Sequence, residues 1–119
     1  MKKLVQGRIE DVEIYAPPAH SDTRNRRLLG PFNGCNDVEV IFAEMGNTGT
    51  ADTHTHEDFD QISILLEGQL RCVTPYEDKV MNPGEYRMIP RGLEHTAYCV
   101  SEKARFILIY APPRQKRGE

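Results

Sequence analysis

Short runs of β-branched and aliphatic residues recur along the chain, separated by turns rich in glycine, proline and asparagine. Runs of this length at nearly regular intervals are typical of an all-β sandwich or barrel. No stretch places apolar residues at helical spacing over the length of a helix. The polar and basic residues 20–27 leave their structure open. The predicted strands cover residues 8–15, 38–45, 62–66, 69–73, 85–89, 95–100 and 104–110, with a turn at 46–49 between the second and the third.

Composition is that of an ordinary globular domain. The 119 residues are 39% hydrophobic and 28% charged, which suits one domain with a single core. A net charge of -3 gives no general case for a nucleic-acid partner. We expect residues 1–7 and the basic tail 114–119 to be frayed. The chain shows no bilayer-spanning window and no apolar run of a signal peptide, so we predict a cytoplasmic protein without a membrane partner.

The cysteines indicate neither a disulfide framework nor a structural zinc knuckle. Cys35, Cys72 and Cys99 are odd in number and form no Cys-x-x-Cys pair. We expect reduced thiols that are mostly buried.

The segment His54-Thr55-His56 carries the strongest chemical signal. Side chains alternate along a strand, so two histidines one residue apart project to the same side, about 7 Å apart at their Cα atoms. This arrangement suits two ligands of one metal ion. A third, isolated histidine follows at His95. His20 is a further candidate ligand, although a lone histidine in a polar loop is usually solvated.

Two blocks of sequence resemble the paired motifs of the cupin family, a small jelly-roll fold. The second block, residues 84–99, matches every family interval up to His95, with Cys99 at the position of a family asparagine. The first block, residues 49–68, has its leading glycine one residue closer to the histidines and an amide at the family's glutamate position. The matching residues are Gly49, His54, His56, Gln61, Gly68, Gly84, Pro90, Gly92 and His95.

The resemblance implies that residues 1–119 form one all-β domain, a double-stranded β-helix (jelly-roll or cupin barrel). It also implies a divalent transition metal, Zn, Ni, Fe, Mn or Co, held by His54, His56, Gln61 and His95. Asp60 is an alternative ligand that would restore the carboxylate. The interval to Gly68 favours Gln61, which shares a strand face with the interior positions.

Three imidazoles and one amide leave the charge of such an ion uncompensated. A strongly electrophilic ion favours Lewis-acid chemistry on a small oxygenated, anionic metabolite. The ligand set is similar to that of pectin-degradation cupins, which act on unsaturated uronates. However, that family has an acidic residue on its last strand, and residues 104–110 of this chain contain no acid. Arg114 lies beyond a double proline. We therefore predict an isomerase or lyase, with an iron or nickel dioxygenase and a non-catalytic ligand-binding cupin as alternatives.

Further pocket groups are weakly indicated. Ser63 should lie beside Gln61, and Cys99 should point inward with His95, because each pair shares strand parity. Arg71 and Tyr98 are candidates for an anion clamp or a general acid, as are Arg87, Arg105, Tyr86 and Tyr110. Both faces of residues 62–66 and 106–109 are apolar, and one barrel interior can cover only one of them. We therefore expect a homodimer.

Overall fold

The computed structural model describes residues 2–114, which form an antiparallel β-barrel. Two short 3₁₀ turns, Ile9–Asp11 and Pro31–Asn33, are the only helical elements in this part of the chain. No helix within it is long and apolar enough to cross a membrane. The strands are β1 Ile14–Tyr15, β2 His20–Leu29, β3 Glu39–His54, β4 Asp60–Glu67, β5 Leu70–Val73, β6 Asp78–Met81, β7 Tyr86–Ile89, β8 His95–Cys99 and β9 Lys103–Ala111.

Strand β3 connects the two layers of the barrel. Its first part pairs with β9 and its last part pairs with β8, so the long strand passes from one layer to the other. The strand order is β6-β5-β8-β3-β9-β4-β7, with β1 and β2 added beside β3. Every pairing is antiparallel. This is the predicted all-β jelly roll.

Alternation along the strands fills the interior between the layers. Ser63 and Leu65 of β4 are buried, whereas Ile64 and Leu66 are 39% and 53% exposed. The strand parity inferred for Gln61, Ser63 and Leu65 is therefore confirmed. The core is built from Ile41, Ala43, Met45, Ala51, Phe59, Leu65, Leu70, Met81, Cys99, Ala104, Phe106, Leu108 and Tyr110.

The predicted turn at 46–49 is wrong, because these residues continue β3. Asp22 of β2 accounts for the irregular sequence there. Its Oδ2 accepts hydrogen bonds from the backbone N and the Oγ1 of Thr48, at 3.2 and 2.9 Å. A Cβ at position 46 would lie 2.1 Å from that same oxygen, so the close approach requires Gly46.

Three further segments differ from the predicted pattern. Of the strand expected at 8–15, only Ile14–Tyr15 pairs with a neighbour, and the residues before it include a 3₁₀ turn. Residues 20–27, left open by the pattern, belong to the ten-residue strand β2. Strand β6 was not predicted, since only Met81 of its four residues is buried.

Candidate metal centre

Three histidines converge at one end of the barrel. His54 ends β3, and its Cα partner across the sheet is His95, which begins β8. His56 lies in the loop after β3, and its Nε2 is 3.1 Å from the Nε2 of His54. One nitrogen from each of the three rings lies within 4.8 Å of the others. The structure thus brings together the three histidines singled out in the sequence.

Backbone carbonyls orient the rings. The Nδ1 of His95 donates to the carbonyl of Leu93 at 2.9 Å, and the Nδ1 of His54 donates to the carbonyl of Asp52. Each Nε2 therefore carries a lone pair. His95 is 2% exposed, and its Nε2 has no hydrogen-bond partner among residues 2–114. A buried acceptor without a donor is costly, and a cation would satisfy it.

The nitrogen spacing fits a shared ion. Two imidazoles bound to one transition metal at ~2.0–2.1 Å, at angles between octahedral and tetrahedral, have nitrogens about 2.9–3.4 Å apart. The 3.1 Å between His54 and His56 lies in this range. His54 and His56 are therefore spaced as two ligands of one divalent transition metal, and the His95 nitrogen lies within 4.8 Å of both.

Burial keeps the rings of His20, His56 and His95 neutral, as metal ligation requires. Burial, followed by the charges of His54, Arg114 and His95, lowers the pKa of His56 to about 3. Burial also lowers the pKa of His95 and of His20. These three imidazoles are available as lone-pair donors at neutral pH.

Gln61 and Asp60 face in different directions. The side chain of Gln61 lines the same cavity as the histidines. Asp60 Oδ1 instead accepts from the backbone N and the Nε of Arg91, at 3.0 and 3.3 Å. These contacts, led by the backbone hydrogen bond, lower the pKa of Asp60. Asp60 thus joins the loop before His95 to β4, and Gln61 is the residue beside the cluster.

His20 is closer to the centre than its sequence context suggested. It belongs to β2 opposite Ala51 and is half-buried. Its ring centroid is 5.9 Å from that of His54, and its Nδ1 donates to the carbonyl of Pro18 at 2.8 Å. With Nδ1 donating, the lone pair of its neutral ring is on Nε2.

An aromatic and cationic wall lies beside His56, and sequence reasoning named only Tyr110 of its members as a pocket candidate. Phe59 stacks on His56 with centroids 4.5 Å apart, and Tyr110 lies 4.6 Å from Phe59. The guanidinium of Arg114 lies 4.5 Å from the Tyr110 ring centre and donates to the Tyr110 hydroxyl at 3.1 Å. Arg114 is thus packed at the centre and is not part of a frayed tail, whereas residues 115–119 lie outside the described residues.

Two connected spaces meet at the histidines. An inner cavity of about 50 Å³ is lined by the four ligand candidates and by Ser63 and Asn25. An outer cavity of about 450 Å³ shares His20, His54, His56 and Arg114 with the inner one. Asn25 is 3% exposed, and its Oδ1 has no partner in the described chain. The inner cavity therefore contains a second unsatisfied acceptor besides His95.

Of the remaining candidates, Arg87 and Tyr110 line the inner cavity, whereas Arg105 and Tyr86 line neither cavity. Arg71 pairs with Asp78 at 2.7 Å and lies 5.6 Å from the Tyr98 ring centre, and neither Arg71 nor Tyr98 lines either cavity. Cys99 is buried in the apolar core, with the other cysteines free as expected. Of the four weak catalytic candidates, only Ser63 joins the cavity.

A family model described as a cupin domain matches residues 41–110, more than half of the chain. The chain is a member of the cupin family. No curated protein matches it.

Solved structures with the same fold include three informative cupins. The polyketide cyclase RemF from Streptomyces resistomycificus is 25% identical, with 98% of this chain and 82% of that one covered and a TM-score of 0.80. KdgF from Halomonas sp. is 17% identical, with 88% and 92% covered and a TM-score of 0.74. An RmlC-like cupin from Shewanella frigidimarina is 20% identical, with 89% and 88% covered and a TM-score of 0.74.

Proposed function

We propose that this cupin is a metal-dependent enzyme for a small oxygenated, anionic substrate, with isomerase or lyase chemistry. His54, His56, Gln61 and His95 would hold a divalent transition metal. When bound, the ion supplies Lewis-acid polarisation of a carbonyl or hydroxyl oxygen of the substrate. The observation that carries the proposal is the buried Nε2 of His95, which has no partner in the described chain and faces the other imidazoles.

Charge supports an anionic substrate. All four proposed ligands are neutral, so the protein cancels none of the ion's charge at the centre. Arg114 adds a second positive charge at the cavity mouth, and its field contributes to the lowered pKa of His56. The outer cavity is also lined by Glu57 and Asp58, so a carboxylate there would be attracted by the ion and by Arg114 and repelled by these two acids. The arginine therefore serves as an anion clamp that binds one end of the substrate.

The cavity walls suggest how the substrate lies. The outer cavity, about 450 Å³, has the size of a small-molecule pocket and is bounded by Pro17, Pro18 and Phe59. Inside, Asn25 Oδ1 is an open acceptor for a substrate hydroxyl, which it would hold in place.

Proton handling falls to few groups. Burial raises the pKa of Tyr110 to about 12, so its hydroxyl stays protonated at neutral pH and does not act as a base. Strand β9 contains no acidic residue. The absence of an acid on the last strand argues against direct transfer of the uronate reaction, despite the shared fold with KdgF.

A second candidate is ring closure of a poly-carbonyl chain. RemF is named a polyketide cyclase, and this chain aligns with it over 98% of its length at 25% identity. The same metal centre would polarise a ketone, and the aromatic wall of Phe59 and Tyr110 would support a flat product. The anionic group at Arg114 would then be a terminal carboxylate.

The experiment pairs metal content with turnover. Purified protein is stripped, reloaded with Zn²⁺, Ni²⁺, Mn²⁺, Fe²⁺ or Co²⁺, and assayed against hydroxy acids, keto acids, unsaturated uronates and polyketone carboxylates. We expect one metal per chain, lost in the triple variant His54→Ala, His56→Ala, His95→Ala, and metal-dependent conversion of one class. Stoichiometric metal in the triple variant would refute the centre. Substrate-dependent oxygen consumption would indicate the dioxygenase, and tight binding without turnover the non-catalytic cupin.

A further inference from the structure

A fully buried carboxylate lies behind the cavity wall. Glu39, at the start of β3, is 1% exposed and is the Cα partner of Tyr110 in β9. A buried charge is destabilising unless it is paired and hydrogen-bonded. Its Oε2 accepts from the Nε of Arg27 at 3.3 Å, and its Oε1 accepts from the backbone N of Arg114 at 3.3 Å.

The second of these bonds joins the carboxylate to the metal centre. Arg114 follows the end of β9, and its backbone N–H donates to the Glu39 carboxylate. This bond fixes the point of the backbone from which the Arg114 side chain extends. From there the guanidinium reaches the Tyr110 hydroxyl and lies 5.3 Å from the Phe59 ring centre. Phe59 in turn stacks on His56. The contacts run without interruption from Glu39 to a proposed metal ligand.

We propose that Glu39 is a positioning residue that seats Arg114 at the mouth of the metal centre, with Arg27 holding the carboxylate in place. The inference rests on the proposed role of Arg114 as an anion clamp. Glu39 lines neither the inner nor the outer cavity, so it touches no substrate there. Its effect on anion binding passes through Arg114.

The two oxygens of Glu39 explain why a carboxylate is needed. One oxygen faces Arg27 and the other faces the N–H of Arg114, and both partners are donors. A glutamine would offer one acceptor oxygen and one NH₂ group, so one of the two donors would meet another donor. Glu39→Gln therefore keeps the side-chain volume while disrupting the seat of Arg114.

The first test reads the arginine directly by NMR of the metal-free protein. In the wild type, ring currents of Tyr110 and Phe59 should shift the Arg114 side-chain signals. In Glu39→Gln these signals should move toward free-arginine values. The matched control is Glu44→Gln, the same change on the outward face of β3, where the carboxylate pairs with Arg105 at 3.1 Å. Unchanged Arg114 signals in Glu39→Gln would overturn the inference.

The second test measures acetate binding to Co²⁺-loaded protein by visible absorption. Arg114→Gln should weaken acetate roughly tenfold, as expected for a lost charge-assisted hydrogen bond. Glu39→Gln should weaken it roughly threefold to tenfold, and Glu44→Gln should have no effect. Because Glu39 acts through Arg114, the double variant should bind acetate no more weakly than Arg114→Gln alone. Additive losses would overturn the inference.

Two outcomes separate this inference from the proposed function. If Arg114→Gln leaves acetate affinity unchanged while Glu39→Gln releases the Arg114 signals, the anion clamp is refuted and the seating role stands. If Glu39→Gln does not fold, hydrogen exchange of the wild-type Arg114 amide gives the answer. A protected amide supports its bond to Glu39, and an amide exchanging at the rate of an open chain overturns it.

Discussion

Replacing His95 with leucine should separate metal binding from folding. In the metal-free protein, the change removes a buried acceptor without a partner, whose burial costs about 1–3 kcal/mol. It also removes the hydrogen bond from Nδ1 to the carbonyl of Leu93, which contributes about 1 kcal/mol. The two effects oppose each other. The free energy of unfolding of metal-free His95→Leu should therefore lie within about 1 kcal/mol of the wild-type value, or above it.

With metal present, the wild type should be more stable than His95→Leu. A ligand at a thousand times its dissociation constant stabilises the folded state by about 4 kcal/mol. For a domain of this size, that corresponds to a rise in melting temperature of roughly 15 °C in the wild type. His95→Leu has lost one of four ligands and should show little or no rise.

Circular dichroism melts with chelator and with added metal provide the assay. The control is Leu65→Ala, which removes a fully buried core side chain away from the cavity. It should lose about 2–5 kcal/mol in both states and keep the metal-induced rise. A large destabilisation of metal-free His95→Leu would show that His95 is a satisfied core residue, which would refute the reasoning.

Four further predictions test the surroundings of the centre. Gln61→Glu should bind metal more tightly and acetate more weakly, both measured by titration, because the added carboxylate cancels one unit of charge. His20→Ala should lower metal affinity roughly tenfold by the same titration, and unchanged affinity would exclude a role for this ring. Arg91 contacts hold the pKa of Asp60 below its ordinary 3.8, so its contribution to stability is complete above that value and is lost as pH falls through the lowered pKa. Wild type and Asp60→Asn should thus differ in melting temperature at pH 7 and converge in acid. Ile64→Lys, on the exposed apolar face of β4, should convert the expected homodimer into a monomer by light scattering, whereas Val100→Lys should not.

The histidine centre was predictable from the His-x-His segment and from the family intervals around His95. The strand alternation expected for the pair does not hold, because β3 ends at His54 and His56 lies in the following loop, yet their Nε2 atoms are 3.1 Å apart. The choice of Gln61 over Asp60 followed from counting to Gly68, whose φ of 87° marks the turn after β4. In the structure Gln61 lines the histidine cavity and Asp60 hydrogen-bonds to Arg91. The role of Gln61 as a metal ligand remains a prediction.

Strand β2 was not predicted from the sequence because its inward face is polar. Thr23 and Asn25 are buried and line the cavity, so the usual apolar alternation is missing. The same polarity hid His20, which looked like a loop histidine. Polar residues at strand spacing were the available signal, and it was too weak without a known partner strand.

The position of Arg114 at the centre was not predicted, for a different reason. A basic residue after two prolines near the end of a chain usually belongs to a solvated tail. Here the buried carboxylate of Glu39, 75 residues earlier, accepts a hydrogen bond from the Arg114 backbone. The Arg114 side chain packs on the rings of Phe59 and Tyr110. Such long-range contacts leave no trace in local sequence. The cytoplasmic location and the homodimer remain predictions.

The most direct measurement is a crystal structure of the metal-loaded protein with anomalous diffraction at the metal's absorption edge. The account predicts one peak about 2.0–2.2 Å from the Nε2 atoms of His54, His56 and His95 and from the side-chain oxygen of Gln61. Imidazoles turned away from a common point, or a peak bound elsewhere with Gln61 facing solvent, would contradict it.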